Sequence, residues 1–346
     1  MIPSPLYWFG GKFNTIRTYH IHEFFPPMTD HYHVFGEFFA GGFSMFLNVP
    51  CVSAVLNDLD ENIYNFLLVL TTPSLYQAFD EKITRMFMGK QFFEVSKANV
   101  KNPYLYLSPD QILKIKEFFQ KISNHSPLSA LDYTFAEEMT TIFTKLNDEQ
   151  DTLVNRVIAF YLQNRNRFSG LPIRTPEEEQ QWFERMTPKP FYKDFSLWKA
   201  KFDACRYLEI KHMDALELLA LTNRYTISDR RRYSIYLDPP YITAGHNYSV
   251  HPTDDSFHEQ LAQLVIESPH QILVSYDYTD KTRDKIDSWY EPLLKKQQCQ
   301  ILNDLHYYSN SESTENTEIL ISNQPLIRYT KSKSLDTFFK IQKKEK

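Results

Sequence analysis

The stretch Tyr236-Leu237-Asp238-Pro239-Pro240-Tyr241 decides how the rest of the chain is interpreted. Residues 233–237 alternate and are rich in strand-forming types, so they predict a β-strand that the two prolines end. Asp238 then lies at the carboxyl end of a strand, where open α/β sheets bind their ligands. The Asp238 carboxylate and the Pro239 carbonyl accept hydrogen bonds, and Tyr241 offers a flat ring. This set suits the exocyclic amine of a planar base, and a plain Asp-Pro turn is the alternative.

Composition places the chain among globular proteins with room for more than one domain. It has 346 residues, of which 42% are hydrophobic and 23% charged. The net charge of −5 means that any nucleic-acid surface is a local basic patch on an acidic body. Three scattered cysteines form neither a zinc spacing nor a disulfide framework, which favours a reducing compartment. We expect no signal peptide and no membrane span, because glycines and Pro50 break the most apolar stretch.

Two glycine pairs near the N-terminus have the composition of loops that approach a ligand. Trp8-Phe9-Gly10-Gly11-Lys12 places a ring and a cation around the first pair, before a helix predicted over 13–25. Further on, an apolar strand from Val34 runs into Gly41-Gly42 and a helix that begins at Ser44. This arrangement brings backbone close to a cofactor. The G-x-G-x-x-G spacing is absent, which disfavours a dinucleotide site.

Two acidic residues follow predicted strands in the same way as Asp238. Asp58 follows the strand over 52–56 and is placed to bind ribose hydroxyls, to cap the next helix, or both. Asp214 ends the strand predicted over 208–214. Further strands are predicted over 271–277 and 317–323, and helices over 61–70, 177–186, 197–205 and 258–266. Parallel strands that alternate with helices predict an α/β fold with a doubly wound, mostly parallel sheet.

The segment 73–154 interrupts this pattern. Helical periodicity appears over 76–88, 109–122 and 135–146, with polar linkers between, and no motif there carries chemistry. We therefore predict a helical insertion over 73–154. Residues 1–72 and 155–330 then form the α/β domain, and 331–346 form a basic tail.

A basic segment after the insertion is the best local candidate for contact with a polyanion. From Asn164 to Arg174, three arginines interleave with amides, an aromatic ring and a Ser-Gly turn. Phe168 or Leu171 could wedge between bases. The alternative is a solvated arginine-bearing loop. Elsewhere, the pairs His20/His22 and His31/His33 lack a third ligand at a suitable spacing, so we expect no metal site.

Four of these blocks occur in the order found in Dam-type DNA N6-adenine methyltransferases of the D12 class, and the chain resembles that family. The blocks are Trp8–Lys12, Glu37–Ser44, Asn57–Asp60 and Asp238–Tyr241. The resemblance implies a Rossmann-like domain that binds S-adenosylmethionine, with an inserted helical target-recognition lobe. Phe43 replaces the family's third loop glycine, which is tolerable if the backbone there is not strained. Residues 175–180 start a helix where relatives acting at GATC have glycine and asparagine, so GATC specificity is not implied.

The resemblance also assigns roles to individual residues. It implies that Asp238, Pro239, Pro240 and Tyr241 are catalytic. It implies that the cofactor is bound by Tyr7, Trp8, Gly10, Gly11, Lys12, Phe38, Phe39, Ala40, Gly41, Gly42, Ser44, Asp58, Asp214, Ala215 and Asp238. It implies a DNA-contacting hairpin over 160–175, with contacts from Asn164, Arg165, Arg167, Phe168, Ser169, Gly170, Leu171 and Arg174.

The expected substrate is an adenine flipped out of double-stranded DNA, modified by a monomer that is cytoplasmic or nucleoid-associated. A nuclear or viral context, and a role in restriction-modification, stay open. An RNA adenine methyltransferase and a catalytically silent DNA-binding protein are the alternatives. A nucleotide-dependent oxidoreductase is disfavoured by the missing glycine spacing. Residues 332–339 resemble a sliding-clamp peptide, with Ser332 in place of glutamine, and a terminal turn that docks on its own domain is the alternative.

Overall fold

In the residues that the structure describes, seven strands form one sheet. They are β1 (His33–Glu37), β2 (Ser53–Asn57), β3 (Tyr207–Lys211), β4 (Arg232–Leu237), β5 (Gln271–Asp277), β6 (Cys299–Leu305) and β7 (Asn316–Ser322). Their order across the sheet is β3-β2-β1-β4-β5-β7-β6. The first five pair in parallel, and β7 is antiparallel to both β5 and β6. The predicted doubly wound, mostly parallel sheet is confirmed.

The coordinates come from a computed structural model of the chain. It describes residues 1–6, 11–87, 153–166, 195–225, 231–242, 254–305 and 316–329. Contacts within the chain define two compact units. One comprises Met1–Ser4, Gly10–Tyr64 and Leu197–Lys346, and it carries the sheet. The other comprises Pro5–Phe9 and Asn65–Ser196.

Helices separate the strands along the chain. In the described parts of the chain they are α1 (Phe13–Tyr19), a 3₁₀ helix (Ile21–Phe24), α2 (Ser44–Asn48), α3 (Glu61–Thr71), α4 (Pro73–Phe87), α5 (Leu153–Asn166), α6 (Ser196–Ala204), α7 (Ala215–Asn223), α8 (Asp255–Ile266), α9 (Arg283–Trp289) and α10 (Glu291–Leu294). Aspartates begin two of them. Asp214 accepts hydrogen bonds from two N–H groups of α7, and Asp254 accepts one from α8. None of the helices in these described ranges is long and apolar enough to cross a membrane.

The central strands of the sheet are apolar, and their side chains are buried on both faces of the sheet. Val34 and Phe35 of β1, Ile235 and Leu237 of β4, and Ile272, Leu273 and Val274 of β5 are all buried. Parallel strands covered on two faces read as continuous apolar runs, which is why these strands could be predicted. β6 was missed. It pairs only with β7 among the described strands, and Ile301 is half exposed, so its sequence lacks such a run.

One predicted helix was wrong in its extent. The pattern over 13–25 predicted a continuous helix, but α1 ends at Tyr19 and a 3₁₀ turn follows. His20 separates the two, because it adopts the left-handed conformation with φ 53°. Its own N–H still caps α1 by donating to the Ile16 carbonyl. Apolar spacing continues through the break, since Ile21 and Phe24 are buried.

Aromatic rings fill the core of the second unit. Tyr161 of α5 stacks on Phe66, with ring centroids 6.0 Å apart, and meets Phe79 of α4 edge-on at 6.3 Å. Phe195 meets Phe79 at 5.2 Å. The first helix predicted for the insertion corresponds to α4. The helices predicted over 109–122, 135–146 and 177–186 lie outside the described residues, so the helical insertion over 73–154 stays a prediction.

Gly36 lets β1 lie in the middle of the sheet. It pairs with Val55 on one side and Ile235 on the other. A Cβ added at Gly36 would lie 2.8 Å from the Phe38 ring and 3.2 Å from Ile235 Cγ1. Such contacts are shorter than van der Waals separation, so a larger residue would have to displace the Phe38 ring.

We expect Gly36→Ala to destabilise the protein by about 1–3 kcal/mol, the usual cost of overpacking a core. The measurement is the free energy of unfolding in urea. Phe38→Leu in the same background should offset part of this cost, because the smaller side chain clears the 2.8 Å contact. Strictly additive effects of the two substitutions would show that the contact is not the cause.

Candidate active site

The chain reverses direction across the sheet between β1 and β4, which are neighbours. From β1 it proceeds outward to β2 and β3, and it then returns to β4 on the other side. Ligands of doubly wound sheets bind at such a switch point, outside the carboxyl ends of the strands. Glu37 ends β1 opposite Tyr236, and Asp238 follows β4 directly. The sheet therefore brings the segments that follow its five parallel strands to the same side of the sheet.

A single lysine joins the functional groups at this edge. Lys12 is 3% exposed, and its Nζ lies 2.9 Å from Asp238 Oδ1 and 3.2 Å from Glu318 Oε1. Nζ also donates to the hydroxyl of Tyr241 and lies 4.6 Å from the centre of that ring. The Tyr241 hydroxyl donates to Glu318 Oε1 over 2.7 Å. Two carboxylates, one ammonium and one phenol thus form one connected cluster.

Asp238 is fixed from the sheet side by a second hydrogen bond. Ser275 of β5 donates from Oγ to Asp238 Oδ1 over 2.9 Å, and Tyr236 lies 2.8 Å from the same Ser275 oxygen. Ser275 and Tyr236 are buried, whereas the Asp238 side chain keeps 21% exposure. Both of these contacts to the carboxylate, from Lys12 and from Ser275, go to Oδ1. Oδ2 is the oxygen on which an incoming donor could bind.

The groups around Asp238 shift the pKa of its carboxyl in opposite directions. Burial raises the pKa of its carboxyl above the usual value, Lys12 lowers the pKa, and Glu318 raises it again. The net direction is upward. Asp238 therefore loses its charge at a higher pH than an ordinary aspartate when the solution is acidified.

The glycine loop after β1 is strongly bent. Gly41 has φ 43° and Phe43 has φ 42°, both in the left-handed region. The expectation that Phe43 is tolerable was tied to an unstrained backbone, and Phe43 in fact occupies a conformation that costs a non-glycine residue roughly 1–2 kcal/mol. Its side chain is completely buried and packs 5.9 Å from the Phe202 ring. Packing offsets the backbone strain.

Asp58 and Asn57 hold the neighbouring loops together. The Asp58 carboxylate accepts from the Gly41 N–H over 2.7 Å and from the Asp60 N–H over 2.9 Å. The Asn57 amide donates to the Phe38 and Met213 carbonyls, and its oxygen accepts from the Met213 N–H. The loops after β1, β2 and β3 are therefore tied by side chains that end β2. That Asp58 binds ribose hydroxyls, caps α3, or both stays a prediction beside these contacts.

Glu37 lies at the end of β1, beneath the loop. It is 3% exposed, and its two oxygens accept from the N–H groups of Met45 and Phe46 in α2. Burial raises the pKa of Glu37 to about 8, although these two hydrogen bonds lower it in part. At neutral pH this side chain is mainly a neutral acid.

This raised pKa makes the stability of the protein depend on pH. Between about pH 4.5 and pH 8, folded Glu37 keeps a proton that the unfolded chain has released, so stability falls as pH rises through this window. Glu37→Gln removes the ionisable group but keeps only one acceptor oxygen, so it gives up one of these two hydrogen bonds at every pH. We expect its thermal unfolding midpoint to fall less between pH 5 and pH 8 than the midpoint of the wild type. Glu267→Gln, at an exposed position, is the control and should follow the wild type. An equal fall in Glu37→Gln and wild type would contradict the assignment.

Several predicted site residues come together and others are not described. Phe38, Phe39, Ala40, Gly41, Gly42 and Ser44 line the loop after β1 and are buried. Gly11 is described and precedes Lys12, whereas Tyr7, Trp8 and Gly10 lie outside the described residues. The ammonium of Lys12, a residue predicted to hold the cofactor, contacts Asp238. The cofactor role of Lys12 stays a prediction. Ala215 opens α7 and is buried, and Asp214 caps that helix.

The predicted DNA-contacting residues are only partly described. Asn164, Arg165 and Asn166 form the last turn of α5, and Asn164 is buried. Arg167, Phe168, Ser169, Gly170, Leu171 and Arg174 lie outside the described residues, as does the tail from residue 330. The DNA contacts, the clamp peptide and the monomeric state stay predictions.

Sequence reasoning missed two members of the cluster, Glu318 and Ser275. Both lie in strands that were predicted, over 317–323 and 271–277. A charged residue in an otherwise apolar strand is uncommon in a core, since ionised side chains are rarely fully buried without a partner. That signal marks Glu318. Ser275 had no comparable signal.

A second group of ligand-type side chains lies in the 3₁₀ segment. His20, His22 and Glu23 each place one ligand atom within 4.8 Å of the others, so Glu23 is the third group that the H-x-H pair lacked in sequence. Glu23 already faces Arg328, at 3.6 Å, and its backbone carbonyl accepts from the Tyr329 N–H. These contacts hold the segment that follows β7 in the chain.

Comparison with known families gives one match. The family model for D12 class N6 adenine-specific DNA methyltransferases matches residues 8–301, most of the chain. The matched span contains Lys12, the glycine loop, Asp58 and Asp238–Tyr241. No curated protein matches the chain significantly.

Proposed function

Because the chain belongs to the D12 class of N6 adenine-specific DNA methyltransferases, we propose that it transfers a methyl group from S-adenosylmethionine to N6 of a specific adenine that is flipped out of a DNA duplex. The observation that carries this proposal is the position of Asp238-Pro239-Pro240-Tyr241. It lies at the carboxyl end of β4, at the switch point of the sheet, with its carboxylate held by Lys12 and Ser275.

The residues at this edge fit a cationic adenosine derivative. S-adenosylmethionine, when bound, supplies an electrophilic methyl group on a sulfonium centre. The bent Gly41-Gly42 loop would allow close backbone approach, and Asp58 and Asp214 would hold the ribose and adenine portions. Both aspartates are fixed by backbone N–H groups. The cluster around Asp238 has two carboxylates and one ammonium, so its excess negative charge favours a positively charged donor.

The base site follows from the acceptors at Asp238 and Pro239. Asp238 Oδ2 and the Pro239 carbonyl would accept the two N–H bonds of the adenine amino group. Holding both hydrogens orients the nitrogen lone pair toward the methyl carbon, and the Asp238 charge stabilises the positive charge that develops on N6. Tyr241 would stack on the base. A base inside a duplex cannot reach such a pocket, which is why we include flipping in the proposal.

We expect Asp238→Ala to lower methyl transfer by at least about 100-fold, because it removes the charge next to the reacting nitrogen. The assay measures transfer of labelled methyl to unmethylated genomic DNA and then locates the modified adenines by sequencing. Asp280→Asn, whose side chain is 97% exposed, is the control and should keep full activity. Full activity of a folded Asp238→Ala variant would overturn the catalytic assignment, and transfer to RNA alone would overturn the substrate.

The cofactor can be tested without activity. S-adenosylmethionine at 100 times its dissociation constant should stabilise the folded protein by about 2.7 kcal/mol and raise the thermal unfolding midpoint. S-adenosylhomocysteine should act similarly, and NAD should not. Stabilisation by NAD but not by S-adenosylmethionine would contradict the proposed cofactor and would favour the oxidoreductase alternative.

A further inference from the structure

Glu318 contacts two members of the proposed site, although it lies beyond the residues that the family model matches. It belongs to β7, and its side chain is 1% exposed. Its Oε1 lies 3.2 Å from Lys12 Nζ and accepts the Tyr241 hydroxyl hydrogen bond over 2.7 Å. β7 pairs with β5 in the register that places Glu318 opposite Asp277, two residues beyond Ser275. The sheet thus fixes Glu318 close to the groups around Asp238.

Stability alone does not account for a buried carboxylate at this position. Moving a charge out of water costs free energy, and among the described residues one ammonium faces the two carboxylates. Well-packed apolar residues in place of a whole buried ion cluster are often as stable or more stable, although removing one member alone leaves its partners uncompensated. The strand is otherwise suited to an apolar residue, since Ile319, Leu320 and Ile321 are buried. An expensive charge that touches two functional side chains is better explained by function.

We propose that Glu318 is a positioning residue for methyl transfer, which retains Lys12 and the Tyr241 hydroxyl and keeps the charge around Asp238 negative. This inference rests on the function proposed above. Glu318 reaches the reaction through Lys12 and Tyr241 and need not touch the substrate.

The argument from charge concerns Lys12. With Glu318 present, the Lys12 ammonium is shared between two carboxylates, and the cluster has a net charge of −1 when both are ionised. Without Glu318, the cluster is neutral and the full positive charge of Lys12 faces Asp238 at 2.9 Å. The amino nitrogen of the base gains positive charge as its bond to the methyl carbon forms. A cation that is not offset beside Asp238 would oppose this step.

The argument from geometry concerns Tyr241. Its hydroxyl receives a hydrogen bond from Lys12 and donates one to Glu318, and Lys12 also lies over the ring. These contacts fix the plane of the ring on which the base is proposed to stack. Loss of the Glu318 acceptor frees the hydroxyl, and a small misplacement of a reacting group has a large effect on rate.

The test compares Glu318→Gln with Glu318→Asp by single-turnover methyl transfer at saturating S-adenosylmethionine and DNA, across a range of pH. We expect Glu318→Gln to slow transfer by about 10- to 100-fold with unchanged affinity for S-adenosylmethionine. The acid limb of its pH–rate profile, where the rate falls as Asp238 becomes protonated, should move to lower pH. The reason is that Glu318 raises the pKa of Asp238 and the substitution removes that influence. Glu318→Asp keeps the charge and should keep the acid limb of the wild type. Glu291→Gln, which also breaks a carboxylate–lysine pair but at an exposed site, should change neither quantity.

The outcomes separate this inference from the proposed function. Wild-type rate and acid limb in Glu318→Gln, with an active wild type, would overturn the role of Glu318 and leave the proposed function intact. Glu318→Gln and Glu318→Asp could instead lose the same share of the transfer rate, with unchanged acid limbs and lowered unfolding midpoints. That result would show that Glu318 has a structural role only, and it would also overturn the inference. Absence of transfer by the wild type would overturn the proposed function and this inference together. If Glu318→Gln does not fold, Glu318→Met removes the charge at similar volume and is measured in the same way.

Discussion

The active edge of this protein depends on one ammonium shared by two buried carboxylates. Lys12 comes from the turn before α1, Asp238 from the end of β4 and Glu318 from β7, so the contact joins the beginning, middle and end of the chain. The lysine and Glu318 are 306 positions apart in sequence. A buried charge of either sign is costly without its partners. The site is therefore assembled correctly only when the sheet itself is complete.

Around this ion cluster, hydrogen bonds from fixed backbone groups replace the solvent that the sheet excludes. Asp58 bonds to the glycine loop, Asn57 bridges two loops, and Asp214 caps α7. Glu37 occupies the same edge as a neutral acid, since burial raises its pKa to about 8. The two carboxyl groups thus have different surroundings, since Glu37 accepts two backbone N–H groups and Asp238 pairs with Lys12. Under the proposed function, Asp238 is the one that acts on the base.

Much of the fold could be predicted because parallel, doubly covered strands have apolar sequences bounded by glycine, proline or aspartate. β1, β2, β4, β5 and β7 were found in this way. β3 was also predicted, over 208–214, but it ends at Lys211, before Asp214. The exposed strand β6 was missed. The helix break at His20, which has left-handed backbone, could not be predicted, because the helical spacing of apolar residues continues past it. In the site, Asp238 and the loop residues could be predicted from local motifs. The contacts of Lys12 with Glu318 and Tyr241 could not, because they depend on pairing between distant strands and not on any local pattern.

The antiparallel strand β7 also sets the order in which the protein can be completed during synthesis. β7 lies between β5 and β6, although both of these strands are made before it. A chain still attached to the ribosome, with residues after 305 not yet released, has both strands but lacks the one that joins them. Lys12 and Asp238 then have no Glu318 beside them. β7 is the last of the described strands to be made, and it supplies both the missing strand of the sheet and the second carboxylate of the ion cluster, so the site is unfinished until Glu318 has been translated.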